Sequence, residues 1–189
     1  MAEAWTPNRQ EAWALLRQYT KDEQLLKHAL AVEAAMRAYA AKYGEDAERW
    51  AVTGLLHDMD YEQHPTLEEH PKVGAEILRS LHYPEDIVEA VLSHGNHLGV
   101  PRRTLMAKAL YAVDELTGFV AAVALVRPSK KVADVQVSSV KKKMKDKSFA
   151  KGCNREEMLA GAAELGVPFD EHVALVIAAM SGIADELGL

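Results

Sequence analysis

The chain has 189 residues, of which 49% are hydrophobic and 26% are charged, and its net charge is −6 at pH 7. This composition fits one ordinary domain with a sizeable core, and the acidic balance argues against a general binder of nucleic-acid polymers or anionic membranes. The single cysteine, Cys153, excludes an intramolecular disulfide and suits a reducing compartment. Since neither a membrane-length apolar run nor a signal-peptide pattern is found, we expect a cytoplasmic protein.

Apolar residues recur at intervals of three and four along nearly the whole chain, which predicts an all-α fold without a convincing set of strands. The first helix is predicted over residues 6–19, with Thr6 as its N-cap and Pro7 as its first residue. The second is predicted over residues 22–44, because a glycine at its end tolerates positive φ. The third is predicted over residues 46–57.

Further helices are predicted in the second half of the chain. The segments EEHPKVGAEILRSLHY and PEDIVEAVLSH indicate two shorter helices, and the longest apolar helix is predicted over residues 102–126, ended by Pro128. A lysine-rich segment follows, then a helix from Asn154 and a last helix from near Asp170. We therefore expect a compact bundle of about seven to nine helices.

Residues 54–61, GLLHDMDY, place the ionisable pair His57 and Asp58 directly after two leucines. His28 lies on the face of the second predicted helix that should turn inward, and the helical neighbours of Asp114 are apolar or small. A buried ionised carboxylate is costly unless something positive meets it. The sequence therefore predicts that these four side chains meet around a cation.

Two neutral imidazoles and two carboxylates form a mixed nitrogen and oxygen donor set. Such a set suits Mn, Fe, Co, Ni or Zn, with Mg as a further option, and one or two ions with bound water are expected. Each residue alone has a structural explanation, because a lone inward histidine is more often a hydrogen-bonded core residue and a mid-helix aspartate often pairs with a lysine or arginine. The conjunction favours a metal, since several unpaired buried ionisable groups are hard to sustain in one small domain.

The segments KHALAVEAAM, GLLHDMDY and YAVDELTG, in this order, resemble the H…HD…D pattern of the HD-domain superfamily of metal-dependent phosphohydrolases. The neighbouring EEHPKVGAEIL and VLSHGNH are similar to its small bacterial single-domain branch, often called HDIG. The resemblance covers about residues 20–127, and residues 129–189 are expected to be a C-terminal helical extension of the same domain, 1–189. An HD dipeptide alone is weak support, whereas the ordered set on the expected helices is specific.

The resemblance implies one metal site and some of the ligands of a second metal site. Asp58 would also bridge to a second ion, and two-metal members add histidines at positions that match His70 and His94. Such members commonly carry two adjacent histidines there, whereas His94 is followed by Gly95 and His97 lies later. The ligands of the first site would be His28, His57, Asp58 and Asp114.

The activity that the resemblance implies is that of a phosphomonoesterase or phosphodiesterase acting on a nucleotide or another small phosphorylated metabolite through a metal-activated water. Asp58, His70 and His94 are the catalytic candidates, and with a single ion either histidine would act as general acid or position the substrate. Asp60 and Glu62, which follow the HD pair, are candidates for a general base.

Cations for the substrate phosphate are predicted at Lys108, Lys141 and Lys145. The lysine run fits a solvated amphipathic helix, and the functional alternative is that Lys141 or Lys145 closes over the substrate as part of a mobile lid. His64, His82, His97 and His172 are taken to be exposed and without a role.

Two other classes of function stay open. A few helical proteins with the same frame use two irons to activate oxygen, and a metal-stabilised nucleotide-binding module would bind without turnover. The expected partner is a small phosphorylated substrate, with no nucleic-acid polymer and no membrane, and the chain would be a monomer or a homodimer.

Overall fold

The computed structural model describes residues 5–6 and 8–189. Within them all regular structure is helical, with ten α-helices, two short 3-10 turns and no strand, which confirms the all-α prediction. The α-helices are α1 (Arg9–Tyr19), α2 (Glu23–Tyr43), α3 (Ala47–Leu56), α4 (Lys72–Ser80), α5 (Glu85–His94), α6 (Leu105–Leu125), α7 (Val137–Met144), α8 (Arg155–Leu165), α9 (Phe169–Ser181) and α10 (Ala184–Leu187).

Several helix ends follow from capping residues in the sequence. The side chains of Asp22, Asp46 and Asn154 accept hydrogen bonds from backbone N–H groups in the first turns of α2, α3 and α8. Gly44 ends α2 with a φ of 71°, in the left-handed region that glycine adopts without steric cost. These boundaries agree with the predicted ones.

Three elements differ from the prediction. The N-cap of α1 is Asn8 rather than Thr6, because its side chain accepts from the backbone N–H of Glu11; Pro7 lies outside the described residues. Helix α4 begins only at Lys72, since a residue that precedes a proline, here His70, disfavours helical backbone. The short α10 raises the number of helices in the described residues above nine. The sequence did not predict it, because four residues are too few for a periodic pattern.

Helices α2 and α6, each of 21 residues, form the centre of the molecule. Helix α2 packs against α3 and α6, and α6 packs in addition against α5, α8 and α9. The largest fully buried side chains of this core include Tyr39 and Met36 of α2 and Leu110, Leu116 and Phe119 of α6. This packing places one face of α2, the C-terminal ends of α3 and α5, and the middle of α6 next to one another.

The C-terminal helices pack directly on α6. A side chain at Gly161 of α8 would place its Cβ 2.6 Å from the Cα of Ala112, so glycine is required for this close approach. His172 of α9 is fully buried, and the prediction that it is exposed is wrong. Its Nε2 donates to the carbonyl of Ala112 at 2.8 Å, and its Nδ1 accepts from the Tyr39 hydroxyl at 2.5 Å. These contacts support our proposal that residues 129–189 belong to the same domain.

None of the described helices combines the length and the hydropathy that a membrane span requires.

Candidate metal centre

Three helices hold the first group of predicted ligands. His28 lies in α2, His57 is the C-cap of α3 with Asp58 directly after it, and Asp114 lies in the middle of α6. Each of the four residues offers one ligand atom, and these atoms all lie within 4.8 Å of one another. The structure therefore brings together the four residues that the sequence singled out.

The histidine nitrogens of this group face carboxylate oxygens. The Nε2 of His28 lies 3.0 Å from Oδ1 of Asp114 and 3.7 Å from Oδ2 of Asp58. The Nε2 of His57 lies 3.3 Å from the same oxygen of Asp114 and 3.3 Å from the same oxygen of Asp58. The two imidazoles thus converge on one pair of oxygens.

A second group shares Asp58 with the first and adds His70 and His94. The Nε2 atoms of His70 and His94 lie 3.3 and 3.2 Å from Oδ1 of Asp58. Oδ2 of Asp58 faces the first group, whereas Oδ1 faces the second. Asp58 therefore stands between two donor groups and turns one oxygen to each.

Hydrogen bonds at Nδ1 orient three of the imidazoles. His57 donates to the carbonyl of Gly54 at 2.7 Å, and His94 donates to the carbonyl of Val91 at 2.6 Å. The Nδ1 of His70 lies 2.7 Å from Oδ1 of Asp60. A partner at Nδ1 fixes the ring and leaves the lone pair of Nε2 for a cation, as is usual for metal-binding histidines.

Asp60 and Glu62 accept hydrogen bonds from backbone N–H groups of other segments and so stabilise the fold. The Asp60 carboxylate is fully buried, and besides His70 it accepts the backbone N–H of Gly74 at 2.7 Å. Glu62 accepts the backbone N–H groups of Lys21 and Asp22 at 2.7 and 2.9 Å. Neither lines the cleft at the metal centre, which argues against the general-base role predicted for them. Asp60 and Gly74 are in close contact, because a Cβ added at Gly74 would lie 3.1 Å from the Asp60 carboxyl carbon.

The charges of the centre shift its pKa values strongly. Burial lowers the pKa of His57, but the Asp58 and Asp114 carboxylates outweigh it and hold that pKa well above its ordinary value. Burial opposes ionisation of both aspartates, yet His57 and the neighbouring histidines keep their pKa values well below the usual range. For His70, burial is outweighed by Asp58 and Asp60, which raise its pKa to about 9. The centre thus stabilises positive charge at the histidine nitrogens.

These residues fit a divalent cation. The Nε2 atom of His57 is buried and has no hydrogen-bond partner, although it lies 3.3 Å from two carboxylate oxygens. An unsatisfied buried nitrogen aimed at two carboxylates is costly unless a cation takes its lone pair. The nitrogen and oxygen donors suit a divalent transition metal.

A cleft of about 440 Å³ opens over the centre. Its walls include three groups that sequence analysis did not single out, namely Tyr61, Glu115 and Glu157. Burial, followed by the neighbouring Asp114, raises the pKa of Glu115 to about 7, and its carboxylate accepts the backbone N–H of Asn154 at 3.0 Å. This contact joins parts of the chain that are far apart in sequence, and no local pattern indicates it.

The three lysines proposed for substrate phosphate are not among the residues that line this cleft. Lys141 pairs with Asp170, with its Nζ 2.9 Å from a carboxylate oxygen, and Lys145 lines the same surface depression on α7. Lys108 lies in the first turn of α6, six residues before Asp114. The prediction placed cations at the cleft, whereas the lining that the structure describes includes neither lysine nor arginine.

His97 follows His94 by three residues rather than directly. It lines the cleft, and its Nε2 bonds the backbone carbonyl of His70 at 3.0 Å. The absence of a side chain at Gly95 makes room for this ring, because an added Cβ would lie 2.9 Å from the His97 ring carbon Cε1. Gly95 and His97 therefore form part of the cleft wall, and His97 does not add a third nitrogen to the group of Asp58, His70 and His94.

Cys153 also lines the cleft, and burial raises the pKa of its thiol to about 11. The thiol is therefore neutral near pH 7, as expected for a structural cysteine.

The order and geometry of these ligands have a match among known families. The model of the HD domain matches residues 25–118, about half of the chain. The chain belongs to the HD-domain family, which is part of the metal-dependent phosphohydrolase superfamily. The matched range includes both donor groups and ends close after Asp114.

Curated relatives match over a similar number of residues. Ribonuclease Y of Nitratidesulfovibrio vulgaris strain DP4 is 31% identical over 97 residues, which is 51% of this chain and 18% of that protein. Ribonuclease Y of Lawsonia intracellularis is 31% identical over 97 residues, and that of Lactobacillus acidophilus is 29% identical over 96 residues. The matched part spans about a sixth of the length of these relatives. No solved structure matches the chain.

Proposed function

We propose that the chain is a metal-dependent phosphohydrolase that acts on a nucleotide or another small phosphorylated metabolite, as a phosphomonoesterase or phosphodiesterase. The observation that carries this proposal is the position of Asp58, whose two carboxylate oxygens face two different pairs of histidines. A carboxylate between two donor groups suits two divalent ions, which would supply a water of lowered pKa and offset charge on phosphoryl oxygens. The same position supports two ions rather than one.

The side chains of the protein would hold this centre rigid during the reaction. Backbone carbonyls fix His57 and His94, and Asp60 fixes His70, so these Nε2 atoms keep their positions when a substrate enters. Fixed donors need little reorganisation when charge develops on a substrate. Since the described lining of the cleft includes no lysine or arginine, charge compensation for a phosphate falls to the histidines and the cations they bind.

The acidic residues in the cleft wall favour a small substrate over a nucleic-acid polymer. Glu115 and Glu157 stand in its wall, and the chain carries a net charge of −6, so a polyanionic strand would be repelled along its length. The curated relatives are nevertheless named ribonucleases, and a short RNA therefore belongs in any substrate panel. A cytoplasmic location stays a prediction from the sequence, and a monomer and a homodimer stay the two alternatives for the oligomeric state.

The first experiment measures phosphate release from nucleotides, sugar phosphates and phosphodiesters with Mn²⁺, Co²⁺ or Mg²⁺. We expect Asp58→Asn to lose at least about a thousandfold in kcat/KM, because several kcal/mol of metal-derived stabilisation are removed. Asp170→Asn is the matched control, since Asp170 is an exposed aspartate outside the cleft. Release that is equal in the wild type and Asp58→Asn would exclude Asp58 from the reaction.

Two results would favour the other classes of function. Oxygen uptake by the iron-loaded protein without phosphate release would favour the di-iron oxygenase. Tight binding of metal and nucleotide without either product would favour the non-catalytic binding module.

A further inference from the structure

A second cavity, of about 320 Å³, borders the metal centre. It lies between α2, α6, α9 and α10, and His28 and Gly118 line both this cavity and the metal cleft. The second cavity is therefore a neighbour of the reaction site rather than a separate surface feature. We call it the aliphatic groove and define it by Ala31, Ala121, Ala122, Leu125, Met180 and Leu187.

The groove begins at the metal ligands because of the register of two helices. On α6, Asp114, Gly118, Ala121 and Leu125 follow one another at intervals of three and four and share a face. Small side chains on this face leave the space open, and an added Cβ at Gly118 would meet only the sulfur of Cys153, at 3.8 Å. The metal ligand and the groove are thus consecutive parts of one helix face.

The chemistry of the groove walls favours a hydrocarbon. Methyl, methylene and thioether groups form most of the lining, and the hydroxyl of Thr117 already donates to the carbonyl of Asp114 at 2.8 Å. Gln24, Lys27 and the metal ligand His28 are the further polar side chains among the described lining residues. A nucleobase would bury donors and acceptors that need partners, whereas an alkyl chain has none to satisfy.

The groove is also accessible from solvent. Leu125 is 51% exposed, although Ala31, Met180 and Leu187 beside it are buried. An exposed leucine next to a partly enclosed apolar cavity gains free energy when a ligand covers it.

We propose that the aliphatic groove binds the alkyl chain of the leaving group, so that the preferred substrate is a phosphate monoester of an aliphatic alcohol. This inference rests on the proposed function, because it places the phosphate at the metal centre. In the reaction, a water oxygen forms a bond to phosphorus, the bond between phosphorus and the alcohol oxygen breaks, and a proton of the water passes to that oxygen. The products are the alcohol and inorganic phosphate.

The first test compares methyl, butyl, hexyl and octyl phosphate as substrates with Mn²⁺. We expect kcat/KM to rise with each methylene, by up to about fourfold, until the groove is filled. Ala121→Phe fills the groove and is expected to flatten this rise. The matched control Ala160→Phe puts the same ring on the exposed face of α8, and it should keep the rise.

The second test measures binding without turnover, by calorimetry with methyl-, butyl- and octylphosphonate. Affinity that increases with chain length in the wild type and in Ala160→Phe, but not in Ala121→Phe, supports the groove. Ala122→Leu replaces Ala121→Phe if circular dichroism shows that the phenylalanine variant does not fold.

The two tests separate the groove from the proposed function. Hydrolysis of methyl phosphate and of nucleotides that gains nothing from a longer chain, with phosphonate affinities that are equally flat, would overturn the groove and leave the phosphohydrolase standing. Phosphonate affinities that rise with chain length, without phosphate release from any ester, would support the groove and overturn the catalytic proposal.

Discussion

His57 and His172 are both fully buried, and each bonds a backbone carbonyl through one ring nitrogen. They differ at the other nitrogen. In His172 that atom accepts a hydrogen bond from the Tyr39 hydroxyl, a neutral partner. In His57 it faces the carboxylates of Asp58 and Asp114 without forming a hydrogen bond.

This difference reverses the charge preference of the two rings. Burial lowers the pKa of His172 to about 4, so the ring is neutral and serves packing. For His57 the two carboxylates outweigh burial and raise the pKa. A buried histidine is therefore a candidate metal ligand only when the ring nitrogen that does not bond the backbone carbonyl lacks a neutral hydrogen-bond partner. Burial and residue type alone do not identify a ligand.

The largest effect is expected from Asp114→Ala, which removes one of the two carboxylates that distinguish His57 from His172. We expect loss of an ion from the first group and loss of the rise in melting temperature that Mn²⁺ gives the wild type. A ligand at a hundredfold excess over its Kd stabilises a protein by about 2.7 kcal/mol. Metal analysis and calorimetry with and without a chelator test this, with Asp170→Ala as the control. Unchanged stoichiometry and melting temperature would remove Asp114 from the site.

The next effect is expected at His70, whose Nδ1 has a charged partner, Asp60. His70→Ala should lower activity while the first group keeps one ion per chain, because His28, His57 and Asp114 are intact. Asp60→Asn should reduce metal affinity or activity by about 10 to 100-fold, since it removes the partner that orients His70. Metal titration of both variants gives the stoichiometry. Full activity of His70→Ala would make that residue a bystander.

A smaller effect, on stability alone, is expected at His172. The unfolded chain binds a proton at this histidine near pH 6.5, but the folded protein binds it only near pH 4. The free energy of unfolding should therefore be highest above pH 6.5 and fall as the pH falls towards 4, with up to about 3 kcal/mol from this residue.

Urea unfolding of His172→Gln measures this contribution. The variant should show a shallower loss of stability between about pH 7 and about pH 5, whereas the exposed His82→Gln should follow the wild type. Parallel curves for His172→Gln and the wild type would mean that burial does not hold the ring neutral in the folded protein.

The smallest effect is expected from Lys141→Ala. Its surface ion pair with Asp170 contributes at most about 1 kcal/mol, and the side chain does not line the cleft. We expect kcat/KM to stay within about twofold of the wild type, because surface changes of this kind are nearly neutral. A loss of more than about tenfold would restore the lid predicted from the sequence.

The sequence predicted those parts of the fold and site that depend on local patterns. Capping by Asp22 and Asp46 is encoded within a few residues, and the apolar faces around His28 and Asp114 are visible as helical periodicity. The role of Asp60 could not be predicted, because it depends on the approach of Gly74.

Contacts between side chains that are far apart in the sequence could not be predicted either. Lysine count and spacing suggested a phosphate site, but the pairing of Lys141 with Asp170 depends on how α7 packs against α9. His172 carries no local sign of burial beyond its helical position, and only the tertiary contact with Tyr39 shows its role.

The anionic lining of the cleft imposes an order on events in the proposed reaction. Asp58 and Asp114 are ionised at neutral pH and offset the positive charge of the protonated His57 and His70 in the metal-free centre, and the wall adds neither lysine nor arginine. We expect phosphate esters to bind weakly to the metal-free protein and more tightly once cations have entered. The metal would therefore act as an obligatory first reactant, and in steady-state kinetics raising the substrate concentration would not replace missing metal.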